Sequence, residues 1–175
     1  MFGNTHDKQC LISVARCRDT IDTRTHYLLR KLMDIRPCTA HDFEQIVPLL
    51  QQLWPNKTFC VERLRAAFSN GLASDTQFYF CAVEEGRLAA FCAISLRNNL
   101  RVEGTLANLD EIVVDKVHRG HGLGSRLLQA VITFAKERGC ARLELESAFH
   151  RVETHAFYER RGFVRRAYYF SLPLS

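Results

Sequence analysis

The pattern of hydrophobic and polar positions predicts helices and strands in alternation along most of the chain. Four segments carry apolar residues at helical spacing: 43–53, 58–70, 125–138 and 152–161. Six shorter segments are rich in β-branched and aromatic residues: 33–37, 77–83, 88–96, 106–114, 142–147 and 163–172. Strands and helices mixed in this order predict one α/β domain with helices packed against a sheet.

Turn and capping residues mark the ends of several of these elements. Thr39 followed by Asp42 resembles a capping box before the first helix. Gly71 is predicted to close the second helix, and the turn 84–87 is predicted to join two strands into a hairpin.

The pattern changes at Met33. The first 32 residues contain six basic and three acidic side chains but only a thin apolar stripe. We therefore expect residues 1–32 to form an extension of uncertain role and residues 33–175 to form the functional domain. Met33 could also be the true translation start.

Composition narrows the class of protein further. The chain has 175 residues, a net charge of +5 and no run of five or more basic residues, so a basic groove for nucleic acid stays possible but unsupported, and anionic ligands in general are mildly favoured. No apolar run is long enough to span a membrane. The seven cysteines include no CxxC pair, and we expect them to be reduced core residues in a cytoplasmic protein.

The stretch 112–125 carries the clearest chemistry. It runs from a strand through a loop with three glycines into a helix, an arrangement in which backbone amides and the helix dipole can hold a phosphate group. The glycine spacing fits neither a Walker A loop nor a dinucleotide-binding fingerprint.

Two motifs are similar to those of the GNAT superfamily of N-acetyltransferases. The segment 119–124 matches its Q/R-x-x-G-x-G/A signature, and 156–163 resembles its xFYExxGF segment. The resemblance covers about residues 33–174. It implies the GNAT fold, an α/β (α+β) mixed sheet of six to seven strands with about four helices, and acetyl-CoA as co-substrate.

The resemblance also implies which residues contact the co-substrate. Arg151 stands where many members have asparagine, as in the subset that includes bacterial aminoalkylphosphonate N-acetyltransferases. The predicted cofactor-binding residues are Ile112, Val113, Val114, Arg119, Gly120, His121, Gly122, Leu123, Gly124, Ser125 and Arg151.

The implied catalytic residues are a base and an acid. Glu111 matches the position that supplies the general base in many members, and Tyr158 matches the tyrosine that protonates the leaving thiolate. Asp110 remains an alternative base, because a β-bulge would change which side chain faces the cleft. A backbone amide near Val113 is implied to stabilise the developing oxyanion. No metal site is predicted, although His150 and His155 lie five residues apart.

The function expected from this resemblance is acetyl transfer to a primary amine of a small molecule, by direct attack in a ternary complex. Alternatives are a protein or peptide N-acetyltransferase, a non-catalytic acyl-CoA-binding regulator, and a toxin that acetylates charged tRNA. Arg97 and Arg101 could hold an anionic group of the acceptor or simply be solvated. Exchange of the last predicted strand between subunits leaves a homodimer open.

Overall fold

The structure, a computed structural model, describes residues 34–174. The predicted extension 1–32 and Met33 lie outside these residues. Five strands are present: β1 Asp34–Pro37, β2 Gln77–Glu84, β3 Arg87–Asn99, β4 Gly104–Val114 and β5 Arg142–Leu145. Four α-helices accompany them: α1 Phe43–Leu53, α2 Val61–Leu72, α3 Leu123–Glu137 and α4 Val152–Glu159. The α/β class predicted from the pattern is confirmed.

The strands form one mixed sheet in the order β1-β2-β3-β4-β5. The first four strands pair antiparallel, and β5 pairs parallel to β4 after the chain has crossed over through α3. The predicted hairpin is confirmed: β2 and β3 are joined by Glu85 and Gly86, both with positive φ, as a tight two-residue turn requires.

Two apolar clusters lie on opposite faces of the sheet. On one face α1 and α2 pack through Phe43, Ile46 and Phe68 against side chains of β2 and β3. On the other face α3 packs through Leu127, Leu128 and other residues of its apolar stripe, together with the buried Tyr158 of α4. Burial of these stripes is the main force that holds the helices on the sheet.

An ion pair between the partly exposed Arg36 and the buried Asp42 fixes the start of α1. Both carboxylate oxygens of Asp42 accept hydrogen bonds of 2.8 Å from the Arg36 guanidinium, and Oδ2 also accepts from the Thr39 backbone N–H at 2.7 Å. The capping box predicted from Thr39 and Asp42 is confirmed. The guanidinium of Arg36 holds the pKa of the Asp42 carboxyl down at about 2.

The prediction of a strand near the C-terminus is wrong. Residues 163–172 form no strand, so the sheet built by residues 34–174 has five strands rather than the six to seven expected. The segment has the composition of a strand, but a strand requires a hydrogen-bonded neighbour, and no strand of residues 34–174 pairs with it. Phe163 is half-buried against the core, but from Val164 onward the apolar side chains are exposed, with Phe170 at 88% and Leu172 at 80%.

The prediction that Gly71 ends α2 is also wrong, because the helix includes Gly71 and ends at Leu72. A methyl group at position 71 would overlap the hydroxyl and ring of Tyr79. Glycine is therefore required there by the close approach of a tyrosine from β2.

None of the helices in the described residues is long and apolar enough to cross a membrane.

Candidate active site

A β-bulge in β4 places two carboxylates side by side. Ala93 of β3 lies opposite Glu111 and Ile94 lies opposite Leu109, so Asp110 is the extra residue of the bulge. Strict alternation would send Leu109 and Glu111 to the same face. The bulge instead leaves Leu109 in the core on the α3 side and turns Glu111 toward the α1–α2 side, where Asp110 also faces.

The two acids line a pocket of about 380 Å³ between the sheet and helices α1 and α2. Asp110 is exposed and accepts hydrogen bonds from Asn108 Nδ2 at 2.6 Å, Ser95 Oγ at 3.0 Å and Gln77 Nε2 at 3.3 Å. These three donors fix the orientation of the Asp110 carboxylate beside Glu111.

The pKa of Glu111 is raised to about 7, first by burial and then by the negative charge of Asp110. Lys57 opposes this shift by favouring the carboxylate. A carboxyl group whose pKa lies near neutrality can accept and release a proton at the working pH, which is what a general base requires. The structure thus separates the two candidate acids by their environment.

An open strand edge lies next to this pair. β5 pairs with β4 only over 106–109, and no strand of the described residues pairs with that side of β4 over 110–114. The side chains of Ile112 and Val114 pack in the α3-side core, whereas Val113 packs in the α1–α2 cluster. The backbone of these three predicted residues, which has no strand partner on this side among the described residues, can bind a ligand along this edge.

The turn that follows β4 is anchored to two other elements. The Lys116 N–H donates to Gln52 Oε1 of α1 at 2.9 Å, and His118 Nε2 lies 3.0 Å from Glu84 Oε2 of β2. The Asp115 side chain accepts from the Val117 N–H. These contacts hold the start of the glycine loop against the sheet.

The glycine loop needs its glycines for backbone conformation. Gly120 has φ +81° and Gly122 has φ +79°, in a region that other residues adopt only with strain, and a Cβ at either would meet open space. Helix α3 begins at the buried Leu123, and the Ser125 N–H donates to the Gly122 carbonyl. The amides before Ser125 have no partners within the helix and can hold an anion.

The remaining predicted cofactor residues have different surroundings. Arg119 donates through Nε to the Val114 carbonyl at 3.0 Å, and His121 is exposed in the loop. Gly124 lies close to Val114 and Phe157, where a Cβ would still fit. Arg151 donates to the Leu53 carbonyl at 2.7 Å, which ties the start of α4 to the end of α1.

Arg161 is a residue that the sequence analysis missed. Its guanidinium stacks 3.7 Å from the centre of the Phe157 ring and donates to the Phe157 carbonyl and to the Ser125 hydroxyl. It therefore brings a positive charge to the N-terminus of α3. The signal in the sequence was the arginine directly before Gly162 in the second motif.

Tyr158 is buried against Phe157 and Phe163 on the α3 side of the sheet. Burial raises its pKa to about 12, and the charge of Arg151 opposes that shift. The phenol is therefore protonated at any working pH and can donate a hydrogen bond.

The groups that could bind a metal ion are Cys38, Asp42 and Cys81, the one such cluster found within residues 34–174. Both oxygens of Asp42 are already engaged by Arg36, so the cluster is better described as an ion pair beside two thiols. His155 lies outside it, with Nε2 3.0 Å from the Ala148 carbonyl oxygen.

Residues 43–163 match the sequence model of the Acetyltransferase (GNAT) family. The chain belongs to this family. It is 31% identical over 137 residues to glucosamine 6-phosphate N-acetyltransferase 1 of Oryza sativa subsp. japonica, covering 75% of this chain and 81% of the rice protein. It is also 24% identical over 153 residues to the aminoalkylphosphonate N-acetyltransferase of Salmonella typhimurium, covering 84% of this chain and 99% of the Salmonella protein.

A solved structure shares the fold of this GNAT chain. An aminoglycoside N-acetyltransferase in complex with CoA superposes with a TM-score of 0.72 at 22% identity, covering 82% of this chain and 95% of the other. The chain is thus an N-acetyltransferase of the GNAT family, an acyltransferase that uses acetyl-CoA. The resemblance predicted from the two motifs is confirmed, and so is the co-substrate.

Proposed function

We propose that this chain transfers the acetyl group of acetyl-CoA to a primary amine of a small molecule, by direct attack within a ternary complex. The observation that carries the proposal is the pair Asp110 and Glu111, which the β4 bulge turns into one pocket beside the unpaired edge of the same strand. An amine bound in this pocket would lie beside Glu111, a base with a pKa of about 7.

Glu111 acts first, by taking a proton from the ammonium group of the acceptor. An alkyl amine with a pKa near 10 is mostly protonated at neutral pH, and freeing it costs about 4 kcal/mol in total. The carboxylate of Glu111, directly or through water, accepts this proton, and Asp110 holds the ammonium group by charge. The neutral amine is then the nucleophile.

Acetyl-CoA supplies an acyl group activated as a thioester. The amine nitrogen forms a bond to the carbonyl carbon, the bond from that carbon to sulfur breaks, and the amine proton that remains in excess passes to the thiolate. A backbone amide near Val113 is the donor implied for the carbonyl oxygen. Tyr158 would donate a hydrogen bond to the leaving sulfur.

The loop 119–125 suits the pyrophosphate of acetyl-CoA. The positive φ of Gly120 and Gly122, the open space around them and the N-terminus of α3 support this assignment. The guanidinium of Arg161, beside Ser125, adds a positive charge. The backbone edge of β4 at 112–114 has no strand partner among the described residues, and it would hold the pantetheine amides by strand-like hydrogen bonds except at the Val114 carbonyl, which accepts from Arg119.

The test is release of free thiol from acetyl-CoA in the presence of a panel of amines, run beside acetyl-CoA binding by calorimetry. Turnover on small amines supports the proposal. Turnover only on peptides or on charged tRNA would overturn the small-molecule assignment. Acetyl-CoA binding with no turnover on any acceptor would favour a regulator.

Replacing Tyr158 by phenylalanine is expected to lower kcat about tenfold with little change in acetyl-CoA affinity, since a single hydrogen bond to the leaving sulfur is lost. The ring remains packed against Phe157 and Phe163, so thermal stability should change little. Steady-state kinetics and thermal unfolding measure the two effects. An unchanged kcat would show that Tyr158 is only a core residue.

We also propose that the chain forms a homodimer through its C-terminal segment. No strand of the described residues pairs with the outer side of β5, and the segment 163–174 exposes strand-type side chains, with Tyr168 at 77% and Phe170 at 88%. Light scattering is expected to give twice the chain mass of 20.1 kDa. Deleting residues 164–175 should give a monomer, and a monomeric full-length chain would contradict the proposal.

Two further assignments are proposals of the same kind. We assign the catalytic domain to residues 33–175 and a separate extension to 1–32, which the family match over 43–163 supports. We place the protein in the cytoplasm, which the five free cysteines among the described residues support.

A further inference from the structure

We propose that the acceptor is a small monoamine with an uncharged, apolar body, such as a short alkyl chain or a single aromatic ring, and no anionic group. The inference rests on the acetyltransferase function proposed above and adds the chemical class of the amine. It is drawn from the pocket that holds Asp110 and Glu111.

The walls of this pocket away from the two acids are apolar. Helix α1 contributes Phe43 and Ile46, helix α2 contributes Leu64 and Phe68, and β3 contributes Phe91. Hydroxyl or phosphate groups of an acceptor would find no hydrogen-bond partner along these walls. For a charged group, the desolvation free energy that is not recovered amounts to several kcal/mol. An alkyl or aryl body would instead gain from burial.

Aromatic rings form a continuous row along this wall. Phe43 and Phe68 have ring centres 5.7 Å apart, Phe68 stacks on Tyr79 at 4.9 Å, and Tyr79 lies 5.9 Å from Phe91. Phe43, Phe68 and Phe91 are nearly buried and pack on their neighbours, so the row gives the pocket a rigid apolar wall that suits a flat ring or a short chain.

The charges of the pocket attract a cation and repel an anion. Among the described residues that line it, the charged ones are Asp110 and Glu111, and the other polar groups include Gln77 and Ser95, which both donate to Asp110. No lysine or arginine belongs to this lining. An ammonium group is therefore stabilised at the acidic end, whereas an anionic group elsewhere in the pocket would have no cation to pair with.

Two cations close to the pocket, Lys57 and Arg65, are engaged outside its lining, although the charge of Lys57 still acts on Glu111. Lys57 lies over the rings of Trp54 and Phe59, at 5.6 and 5.2 Å from their centres, and Arg65 stacks 4.2 Å from the centre of the Phe43 ring. Neither lines the pocket.

The two arginines considered as anion ligands from the sequence also lie outside the pocket lining. Arg101 pairs with Glu144 at 2.6 Å, and the charge of Arg97 acts on Glu146. An anionic acceptor would thus find its counter-charge neither inside the pocket nor in this pair.

The volume limits the acceptor as well. About 380 Å³ is near the lower end of small-molecule sites and holds roughly a dozen water-sized groups. A single ring or a short chain fits this space, whereas an oligosaccharide would have to lie largely outside it.

The test compares pairs of amines that differ by one anionic group: 2-phenylethylamine with phenylalanine, and butylamine with 4-aminobutyrate. Thiol release is measured with each of these amines separately, and also with 2-aminoethylphosphonate and with glucosamine 6-phosphate. We expect kcat/KM to be at least about 100-fold higher for the member without the anion, because an unpaired buried carboxylate costs several kcal/mol. Faster turnover of the anionic members would overturn the substrate class and leave the proposed function intact.

No thiol release with any amine, while acetyl-CoA still binds, would instead overturn the proposed function and the substrate class with it.

A pair of variants adds a test inside the pocket. Ala67 lines the pocket on α2, and Ala66 beside it does not. Ala67→Lys is expected to lower kcat/KM for butylamine and raise it for 4-aminobutyrate, each about tenfold. Ala66→Lys should change neither, and equal effects of the two variants would contradict the assignment of this pocket to the acceptor.

Discussion

Replacing Glu111 by glutamine is expected to lower kcat/KM by about 10²- to 10⁴-fold, the usual contribution of a general base. Glutamine keeps the size of the side chain but cannot accept the proton of the ammonium group. Acetyl-CoA affinity should stay within about twofold, because Glu111 faces the acceptor pocket rather than the glycine loop. Thiol release and calorimetry measure the two effects.

The pH dependence of the wild type gives a second readout of the same group. Since the pKa of Glu111 is about 7, kcat/KM is expected to rise with pH through that value and then level off. Asp110→Asn is the matched control. It removes the neighbouring negative charge, so it should move the midpoint of the rise to lower pH and keep the rise itself. A profile that Glu111→Gln leaves unchanged in shape would assign the base to another group.

Stability measurements separate loss of chemistry from loss of fold. Because the pKa of Glu111 is raised from 4.5 to about 7, the folded protein binds this proton more tightly than the unfolded chain. That contribution to stability is complete below about pH 4.5 and is lost as the pH rises through 7. Glu111→Gln should therefore be at least as stable as the wild type at pH 8, and urea unfolding at pH 5 and pH 8 tests this.

Replacing Asp42 by asparagine is expected to lower the free energy of unfolding by about 2–4 kcal/mol. This is somewhat less than the roughly 3–5 kcal/mol lost when one partner of a fully buried pair is removed, because the Arg36 side chain is 36% exposed. Asp42 is only 4% exposed and holds both the Arg36 guanidinium and the Thr39 N–H. For a domain of this size the loss corresponds to a fall in Tm of roughly 5–15 °C. Thermal and urea unfolding at pH 7 measure it.

The control for this prediction is a surface pair on the neighbouring helices. Arg65 and Glu44 also form an ion pair, but their side chains are 50% and 70% exposed. Arg65→Gln should therefore cost less than about 1 kcal/mol. If the two variants were destabilised equally, burial would not be the source of the strength of the Arg36–Asp42 pair.

Acid should act on the same pair in the wild type. The pKa of Asp42 falls from 3.8 in the unfolded chain to about 2 in the fold, so its contribution to stability is complete above about pH 4. The contribution is lost as the pH falls from 4 toward 2, and this loss should be missing in Asp42→Asn. Because α1 also carries Phe43 and Ile46 into the pocket, loosening its first turn should raise the KM for the amine.

Elements with a strong local signal were predicted well. The stripe of α3, the turn at Gly86 and the capping box at Asp42 depend on residues a few positions apart, so the sequence alone is enough to place them. The glycine loop belongs to the same group, since the positive φ of Gly120 and Gly122 is a property of the loop itself.

Contacts between segments that are distant in the sequence were not predicted. Gly71 looked like the end of a helix because the tyrosine that requires it, Tyr79, comes from the next strand. Arg161 reaches Ser125 across 36 positions of the chain, and no local pattern reports such a contact. The segment 163–172 has strand-type residues, but whether it becomes a strand depends on a partner that its own sequence does not specify.

The amino-acid sequence was sufficient for the family, the order of the elements as far as α4 and the loop that suits a pyrophosphate, because motifs and periodicity are local. The placement of Asp110 and Glu111 in one pocket was not accessible from it. A bulge exists only relative to the strand it pairs with, and here β3 determines that Leu109 turns to one face and Glu111 to the other. The pKa of Glu111 and the apolar wall opposite it follow from that pairing and from helices that join the sheet only in the folded protein.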